Sequence, residues 1–371
     1  MSARRKAIQT GWRVLVCLVL LGWVFHSIFM KEGKTAAERQ GINWSKLPQS
    51  EKWKIGWENG PRELWDNLSL ISPGMFALSV LPMGLTIVLG IWRWRMVLAV
   101  HGLNLPWGRA TEISFVAHFF NSFLLGSTGG DLMKAYYAAR ETHHKKTEAV
   151  VTVLVDRLIG LWAMLLFAGI MIIPNASLLL RHKQLRAIAL IILAMLGGCT
   201  VVAVLAFKGG VSRRWSGARQ WLRRLPKGEW LERLLEASRD FGRQRWFVTR
   251  TMAVSMILNA VCVLQVCILS WGLGLKVSPL ALSAIVPMII CISALPITPA
   301  GLGVRENLFV IMLSDPAIGV PPTPALSLSL LAYAGFLFWS IVGGVVYLLF
   351  KEKHHLREQE LSGPTDFFPK S

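Results

Sequence analysis

The sequence of 371 residues has few charged residues and few cysteines. The first shortage argues against an ordinary soluble domain, and the second against a disulfide-stabilised protein. Only 16% of the residues are charged while 53% are hydrophobic, which is far from the balance of an ordinary soluble domain. The five cysteines all lie in apolar segments without a Cys-x-x-Cys pair, so we expect neither a disulfide framework nor a zinc site. The sequence also has no cluster of His, Cys and carboxylates with metal-ligand spacing, and we expect no metal and no cofactor.

Long apolar runs are abundant, and each is about as long as a bilayer is thick. Many of the 16 tryptophans stand at the ends of these runs, as an interfacial aromatic belt requires. The first run lacks a small-x-small cleavage site, so we expect an uncleaved anchor helix. The sequence predicts an all-α polytopic membrane protein with six full spans, at residues 12–30, 74–99, 148–173, 187–207, 251–274 and 325–350.

Two further apolar stretches are too short or too broken to cross a bilayer. A helix over residues 111–126 would rise only about 24 Å, less than the ~30 Å hydrocarbon core. Residues 280–314 contain several helix breakers, among them Pro287, Pro296, Pro299, Gly301 and Gly303. We therefore expect both stretches to be re-entrant helical hairpins, residues 111–130 and 280–314.

Loop charges predict the orientation of these segments. Residues 208–250 form a basic loop with 12 Lys or Arg, which we place in the cytoplasm together with both chain termini. Arg93, Arg95 and Arg109 place the loop after the second span on the same side, and Lys134 is expected on that side as well. The first hairpin then enters and leaves the membrane by the cytoplasmic face, and the second by the opposite face.

This orientation divides the chain near residue 180 into two halves of opposite topology, residues 75–180 and 187–350. Inverted repeats with broken helices that meet near the bilayer midplane form the substrate site of many transporters. We expect one membrane domain over residues 1–371. Within it, residues 31–72 are either an outer amphipathic segment at the headgroups or a solvated loop, and residues 354–371 form a disordered tail.

An aspartate stands where the hydropathy predicts membrane, at Asp131 in GSTGGDLMKAYYAAR. A carboxylate in hydrocarbon costs roughly 2.5–3.5 kcal/mol on insertion scales, so we expect it to face a cavity and to have a partner. Gly129 and Gly130 allow close approach to the backbone, and Lys134 follows one helical turn later, so an anion could bind here. We also expect Asp131 to cap a helix that starts at Leu132, and the open alternative is that the turn and this cap are its whole role.

A second charged pair, Asp156 and Arg157 in VLVDRLIG, lies about nine residues into an apolar span. Adjacent helical residues point about 100° apart, so each side chain needs a partner from elsewhere. One interpretation is a buried ion pair that locks helices together. The other is a line of charge along a pathway for a lipid or an ion.

The third candidate site is the stretch ALPITPAGLGVRENLF. Pro299 interrupts a helix, and Gly301 and Gly303 permit a tight backbone turn. Arg305 and Glu306 open the next half-helix, whose positive N-terminal end favours an anion such as phosphate.

The blocks GGDLMKAYYAAR, VLVDRLIGL and LPITPAGLGVRE together resemble the signatures of the lysylphosphatidylglycerol synthase transmembrane-region family, which are flippase-like membrane domains of bacteria and archaea. The similarity covers residues 75–350. It implies a stand-alone flippase-like protein without the aminoacyl-transferase domain found in some members. The family commonly has Pro-Gly-Gly where this chain has Pro299-Ala300-Gly301. The resemblance marks Gly129, Gly130, Asp131, Asp156, Arg157, Pro299, Gly301, Gly303 and Glu306.

Our leading hypothesis is a lipid translocator of the bacterial inner membrane rather than an enzyme. Arg157 and Arg305 would hold the phosphate of a phospholipid or other anionic lipid. Asp131, Asp156 and Glu306 would balance these charges, recognise a cationic headgroup or carry a proton. A membrane-embedded enzyme for lipid-linked substrates and a scaffold for a cell-envelope synthase are the alternatives. We expect no nucleic acid; a homo-oligomer and a complex with a lipid-synthesis enzyme both stay open.

Overall fold

The computed structural model describes residues 26, 29–30, 33–69, 71–122, 129–142, 145–208, 245–295, 301 and 303–349. Every regular element in these ranges is helical, which agrees with the predicted all-α class. The predicted span 12–30 and the basic loop 208–250 lie mostly outside the described residues, and the tail 354–371 lies wholly outside them.

Most of the helices follow one another through short connections, and residues 209–244 between the seventh and the eighth helix lie outside the described residues. In chain order they are α1 (Gln49–Ser69), α2 (Pro73–Val100), α3 (Trp107–Asn121), α4 (Gly129–Glu141), α5 (Lys146–Ile172), α6 (Ala176–Arg181), α7 (Lys183–Lys208), α8 (Arg245–Gly272), α9 (Pro279–Ser293), α10 (Val304–Leu313) and α11 (Pro322–Leu349). Part of the predicted outer segment 31–72 is therefore the helix α1. In the part of the chain that the structure describes, five helices are long and apolar enough to cross a membrane, namely α2, α5, α7, α8 and α11.

The sequence explains why several helices begin and end where they do. Pro73 and Pro279 open α2 and α9, where a proline's missing N–H costs no hydrogen bond. The chain leaves α2 through Gly102 and α8 through Gly274, which have φ values of 68° and 67°. Only glycine adopts this left-handed conformation without a steric penalty, so both glycines stop a helix.

Helices α2 and α8 pack side by side in opposite directions. The guanidinium Nη1 of Arg93, late in α2, donates to Ser255 Oγ, early in α8, at 3.2 Å. Gly272 at the end of α8 lies close to Met75 at the start of α2. The connections that follow α2 and α8 therefore lie at opposite ends of the bundle.

Helices α3 and α4 form an antiparallel pair, which we name the first hairpin. At its tip, the Gly130 N–H donates to Asn121 Oδ1 at 2.9 Å. At its base, the Arg109 guanidinium at the start of α3 binds the Glu141 carboxylate at the end of α4. The returning limb thus runs to Glu141, well beyond the predicted limit at residue 130, because charged residues that hydropathy assigns to a loop have partners within the helices.

Helices α9 and α10 form the second hairpin, in the region where the sequence predicts a broken helix. The first limb ends at Ser293, and Gly301 in the connection lies close to that residue. The second limb begins at Val304. Residues 296–300, which include Pro299, lie outside the described residues. Pro287 lies inside α9 and does not end it.

The order of helices α2 to α5, the first unit, recurs in α8 to α11, the second unit, and the lengths are similar except that α4 has 13 residues and α10 has 10. Helices α2 and α8 both have 28 residues, α3 and α9 both have 15, and α5 and α11 have 27 and 28. The third and ninth helices each pack on the last helix of the other unit: α3 packs on α11, and α9 packs on α5. Within the units, α4 packs on α5 and α10 packs on α11.

Candidate functional site

Three ionisable side chains from three helices of the first unit form a buried cluster: Arg93, Lys134 and Asp156. Arg93 Nε lies 2.8 Å from Asp156 Oδ1, and Lys134 Nζ lies 3.4 Å from Asp156 Oδ2. Their side chains are at most 13% exposed. One carboxylate therefore holds two cations and links α2, α4 and α5.

Two neighbouring residues shape this buried cluster. The ammonium of Lys134 lies 4.2 Å from the ring centroid of the fully buried Trp94, a cation–π contact. Gly160 follows Asp156 by one helical turn, and a Cβ there would lie 2.9 Å from Arg93 Nη2. The glycine therefore leaves room for the guanidinium against α5.

Asp131 and Arg157 form a second ion pair beside the first, with Arg157 Nε at 3.5 Å from Asp131 Oδ2. We name it the exposed pair, because 37% of the Arg157 side chain and 27% of the Asp131 side chain are accessible. The prediction that Asp156 and Arg157 find separate partners is confirmed. Asp131 is the third residue of α4, so the prediction that it caps a helix starting at Leu132 is wrong. It still lies in the first turn, where a negative charge is favourable.

Arg93, Asp156 and Arg157 lie well inside helices long enough to span a membrane. Arg157 is the twelfth of 27 residues of α5, about 17 Å along a helix about 40 Å long. Arg93 lies within α2, two turns before its end. Arg93 and Lys134, which the charge count assigns to the cytoplasmic side, are ion-paired within the helix bundle. Counting charges near a span does not separate a loop cation from one that is paired inside the bundle.

The second unit carries a smaller cluster at the start of α10, formed by Arg305, Glu306 and Tyr333. Arg305 Nη2 lies 2.6 Å from Glu306 Oε1, and the other carboxylate oxygen accepts the Gly303 N–H. The guanidinium stacks on the Tyr333 ring at 4.3 Å. Arg305 Nε and the Tyr333 hydroxyl are buried without a hydrogen-bond partner among the described residues. The site therefore has donors for an acceptor group.

The predicted glycines have structural roles at these sites. Gly301 and Gly303 have φ values of 70° and 85°, so their backbone requires glycine just before α10. Gly129 and Gly130 are buried in the first turn of α4. At Gly130 the missing side chain lets α4 approach α3, because a Cβ would collide with the Ala117 carbonyl and the Asn121 side chain.

We expect Gly130→Ala to lower the free energy of unfolding by about 1–3 kcal/mol, because the new methyl group forces α3 and α4 apart. The measurement is denaturant unfolding in detergent. Gly90→Ala is the matched control, since nothing lies within 4 Å of a Cβ at Gly90 in α2. That control should be neutral or stabilising by about 0.5–1 kcal/mol. Equal effects of the two changes would contradict close packing at the hairpin tip.

Several polar residues within the helices have hydrogen-bond partners in the structure. Asn121 joins the two limbs of the first hairpin. His118 Nε2 lies 3.4 Å from the Phe336 carbonyl on α11. Asn259 donates within its own helix, to the Ser255 carbonyl. Within the described ranges, no group of three or more His, Cys, Asp or Glu side chains could hold a metal ion.

Sequence reasoning missed four of the residues that form these sites: Arg93, Ser255, Glu141 and Tyr333. Arg93 had a signal, because it lies seven residues before the end of a long apolar helix and no glycine or proline lies between Arg93 and that end. Glu141 has none, since it lies in a polar segment. Tyr333 and Ser255 lie in apolar spans without any distinguishing pattern. Their roles come from contacts with Arg305 and Arg93, which are distant in the sequence.

The sequence matches a family model described as the lysylphosphatidylglycerol synthase TM region over residues 53–344. A UPF0104 membrane protein of Methanocaldococcus jannaschii is 21% identical over 272 residues, which cover 70% of this chain and 80% of that protein. The family match includes the buried cluster, the exposed pair and the cluster at the start of α10.

Proposed function

We propose, since this chain belongs to the lysylphosphatidylglycerol synthase transmembrane-region family, that it is a flippase-like protein that moves a lipid headgroup across the membrane. It is a multi-pass membrane protein with apolar helices of spanning length. In this proposal it acts as a carrier and not as an enzyme, and it resides in the bacterial inner membrane with both termini in the cytoplasm.

The observation that carries the proposal is the group of five ionisable side chains at the middle of the first unit. Arg93, Lys134, Asp156, Asp131 and Arg157 come from three helices and are joined by ion pairs. Charges inside a membrane protein are costly, and they usually face a polar cavity or mark the path of an ion or a polar substrate. A headgroup with a phosphate would find both cations and balancing carboxylates here.

We further propose that the two units are an inverted repeat with opposed re-entrant hairpins. Three observations support this arrangement: the nearly equal lengths of three of the four pairs of corresponding helices, the packing of α3 and α9 on the other unit, and the antiparallel packing of α2 and α8. Corresponding positions also match in character. Asp131 is the third residue of α4 and Glu306 the third residue of α10.

The proposed roles follow from the partners of each side chain. Arg157 and Arg305 would bind the lipid phosphate, because a guanidinium binds phosphate through two parallel hydrogen bonds. Asp131 and Glu306 hold these arginines in the absence of lipid. Asp156 keeps Arg93 and Lys134 in place. Gly301 and Gly303, with Pro299, would allow the second hairpin to move when access changes sides.

The test is headgroup translocation in proteoliposomes that contain anionic, zwitterionic or cationic fluorescent lipids. We expect the protein to accelerate translocation of one class, and Arg157→Gln to slow it at least about tenfold, the effect of losing a charge-assisted hydrogen bond. Arg186→Gln is the control, because Arg186 is an exposed cation at the start of α7, far along the chain from these clusters. Translocation of no lipid class by folded protein would refute the proposal.

A further inference from the structure

We propose that the hydroxyl of Tyr333 binds an uncharged oxygen of a lipid headgroup, and that this contact selects headgroups that carry hydroxyl groups. The inference rests on the proposed function, because it takes a lipid as the occupant. It adds the part of the headgroup that lies next to the phosphate. The site is formed by Ser293 of α9, Arg305 of α10 and Tyr333 of α11.

Each of these three side chains has a buried polar atom without a hydrogen-bond partner in the part of the chain that the structure describes. The atoms are Ser293 Oγ, Arg305 Nε and the hydroxyl oxygen of Tyr333. A polar group that leaves water without finding a partner loses its full hydration free energy. An oxygen bound here would accept hydrogen bonds from these donors and would recover that loss.

The three side chains lie around the break in the second hairpin. The Arg305 guanidinium lies 4.3 Å from the centroid of the Tyr333 ring. Gly301 lies just before α10, and a Cβ at this glycine would be 3.1 Å from Ser293 Cβ at the end of α9. Both limbs therefore bring donors to the N-terminal end of α10, a helix of 10 residues whose positive end also favours an oxygen acceptor.

Tyr333 also connects this site to the first unit. It belongs to a hydrophobic cluster whose other buried members, among the described residues, come from α2 to α5 and from the connection between α2 and α3. Trp94, whose ring lies 4.2 Å from the Lys134 ammonium, is a member of the same cluster. The junction of the two units thus contains one aromatic ring from each unit, and each ring carries a cation.

The balance of charge favours an uncharged group at the Tyr333 hydroxyl. The ion-paired side chains of the two units are four cations and three carboxylates, namely Arg93, Lys134, Arg157 and Arg305 with Asp131, Asp156 and Glu306. One phosphate neutralises the remaining positive charge. A second anion beside the buried Glu306 would have no counter-ion, which is costly in a low-dielectric environment. An alcohol hydroxyl carries no charge and can both accept and donate a hydrogen bond.

Two lipids with the same phosphate and the same net charge test this assignment. Phosphatidylglycerol carries hydroxyl groups in its headgroup, and phosphatidylpropanol is the same lipid without them. Short-chain forms of both are titrated into the full-length protein in detergent. The dissociation constant is obtained from the rise in unfolding temperature with lipid concentration, measured for each variant against its own lipid-free sample.

We expect the protein to bind phosphatidylglycerol about tenfold more tightly than phosphatidylpropanol, because phosphatidylpropanol leaves the buried donor unpaired. Tyr333→Phe should remove this preference and leave the binding of phosphatidylpropanol unchanged. Tyr347→Phe is the matched control, since it removes a hydroxyl from the same helix 14 residues later, and it should keep the preference.

The stability of the lipid-free variant separates a ligand contact from a structural role. Without lipid, Tyr333→Phe should leave the unfolding temperature unchanged or raise it, because the lost hydroxyl has no partner among the described residues. A lower unfolding temperature would overturn the inference, because the hydroxyl would then have a structural partner. Equal binding of the two lipids by the unsubstituted protein, or an equal loss for both lipids in Tyr333→Phe, would overturn the assignment to a headgroup hydroxyl.

Translocation of the same two lipids in proteoliposomes distinguishes this inference from the proposed function. Translocation without any preference in binding would overturn the selectivity at Tyr333 and leave the carrier function standing. A preference in binding that Tyr333→Phe removes, without translocation of any lipid class, would refute the carrier function and support Tyr333 as a ligand of a bound lipid.

Discussion

Replacing Asp156 by asparagine is expected to lower the free energy of unfolding by about 3–5 kcal/mol, the cost of removing one partner of a buried ion pair. The carboxylate pairs with Arg93 at 2.8 Å and with Lys134 at 3.4 Å, and the amide would leave both cations without a counter-ion. Denaturant unfolding in detergent measures this loss. The variant keeps the size of the side chain, so the change reports on charge.

A double-mutant cycle isolates the pair. Arg93→Met alone should lower the free energy of unfolding as much as Asp156→Asn does. The double variant should lose less than the sum of the two single losses, because it leaves neither member of the Arg93–Asp156 pair buried without the other. Arg157→Gln is the comparison, since that side chain is 37% accessible and its pair should contribute less. Additive effects of Arg93 and Asp156 substitutions would show that the two side chains do not form a coupled pair.

Glu141→Gln should also cost about 3–5 kcal/mol, because Glu141 and Arg109 form a buried ion pair at the base of the first hairpin. The chain provides a matched control within the same network. Glu112 binds the same guanidinium at 2.7 Å, but its side chain is 47% exposed. Glu112→Gln should therefore cost no more than about 1 kcal/mol.

Unfolding of the two variants in detergent distinguishes these expectations. A large loss for Glu141→Gln alone would support the closure of α3 and α4 at their base. An equal loss of unfolding free energy for Glu112→Gln would mean that the exposed contact with Arg109 contributes as much as the buried one. The buried pair would then not be what closes the hairpin. Limited proteolysis near residues 141–146 adds a second readout, because an opened base exposes this connection.

Much of the architecture could be predicted from the pattern of apolar residues. Five of the six predicted spans correspond to helices of spanning length, and the sixth lies mostly outside the described residues. The proline and glycine residues before Arg305 correctly marked the break between α9 and α10. Hydrophobic runs, helix breakers and glycines act through their immediate neighbours, so the sequence carries their effect directly.

The distribution of charged residues in the sequence was a less reliable guide to where those residues lie in the fold. The positive-inside rule counts Arg93 and Lys134 toward the cytoplasmic side, yet both lie in helices with Asp156 as their partner. The energy of a buried cation depends on whether a carboxylate from another helix lies within a few ångströms. No local pattern contains that distance, because the three residues come from α2, α4 and α5.

The sequence alone determined that this chain is a polytopic helical membrane protein with charged residues at Asp131, Asp156, Arg157, Arg305 and Glu306, because hydropathy and residue identity act locally. The pairing and the accessibility of these charges follow from the tertiary structure, as does the identity of the glycines that allow helices to pack closely. Packing decides this because ion pairing and burial depend on the separation of side chains that are distant in the chain. The exposed pair and the buried cluster differ for that reason, although Asp156 and Arg157 are neighbours in the sequence.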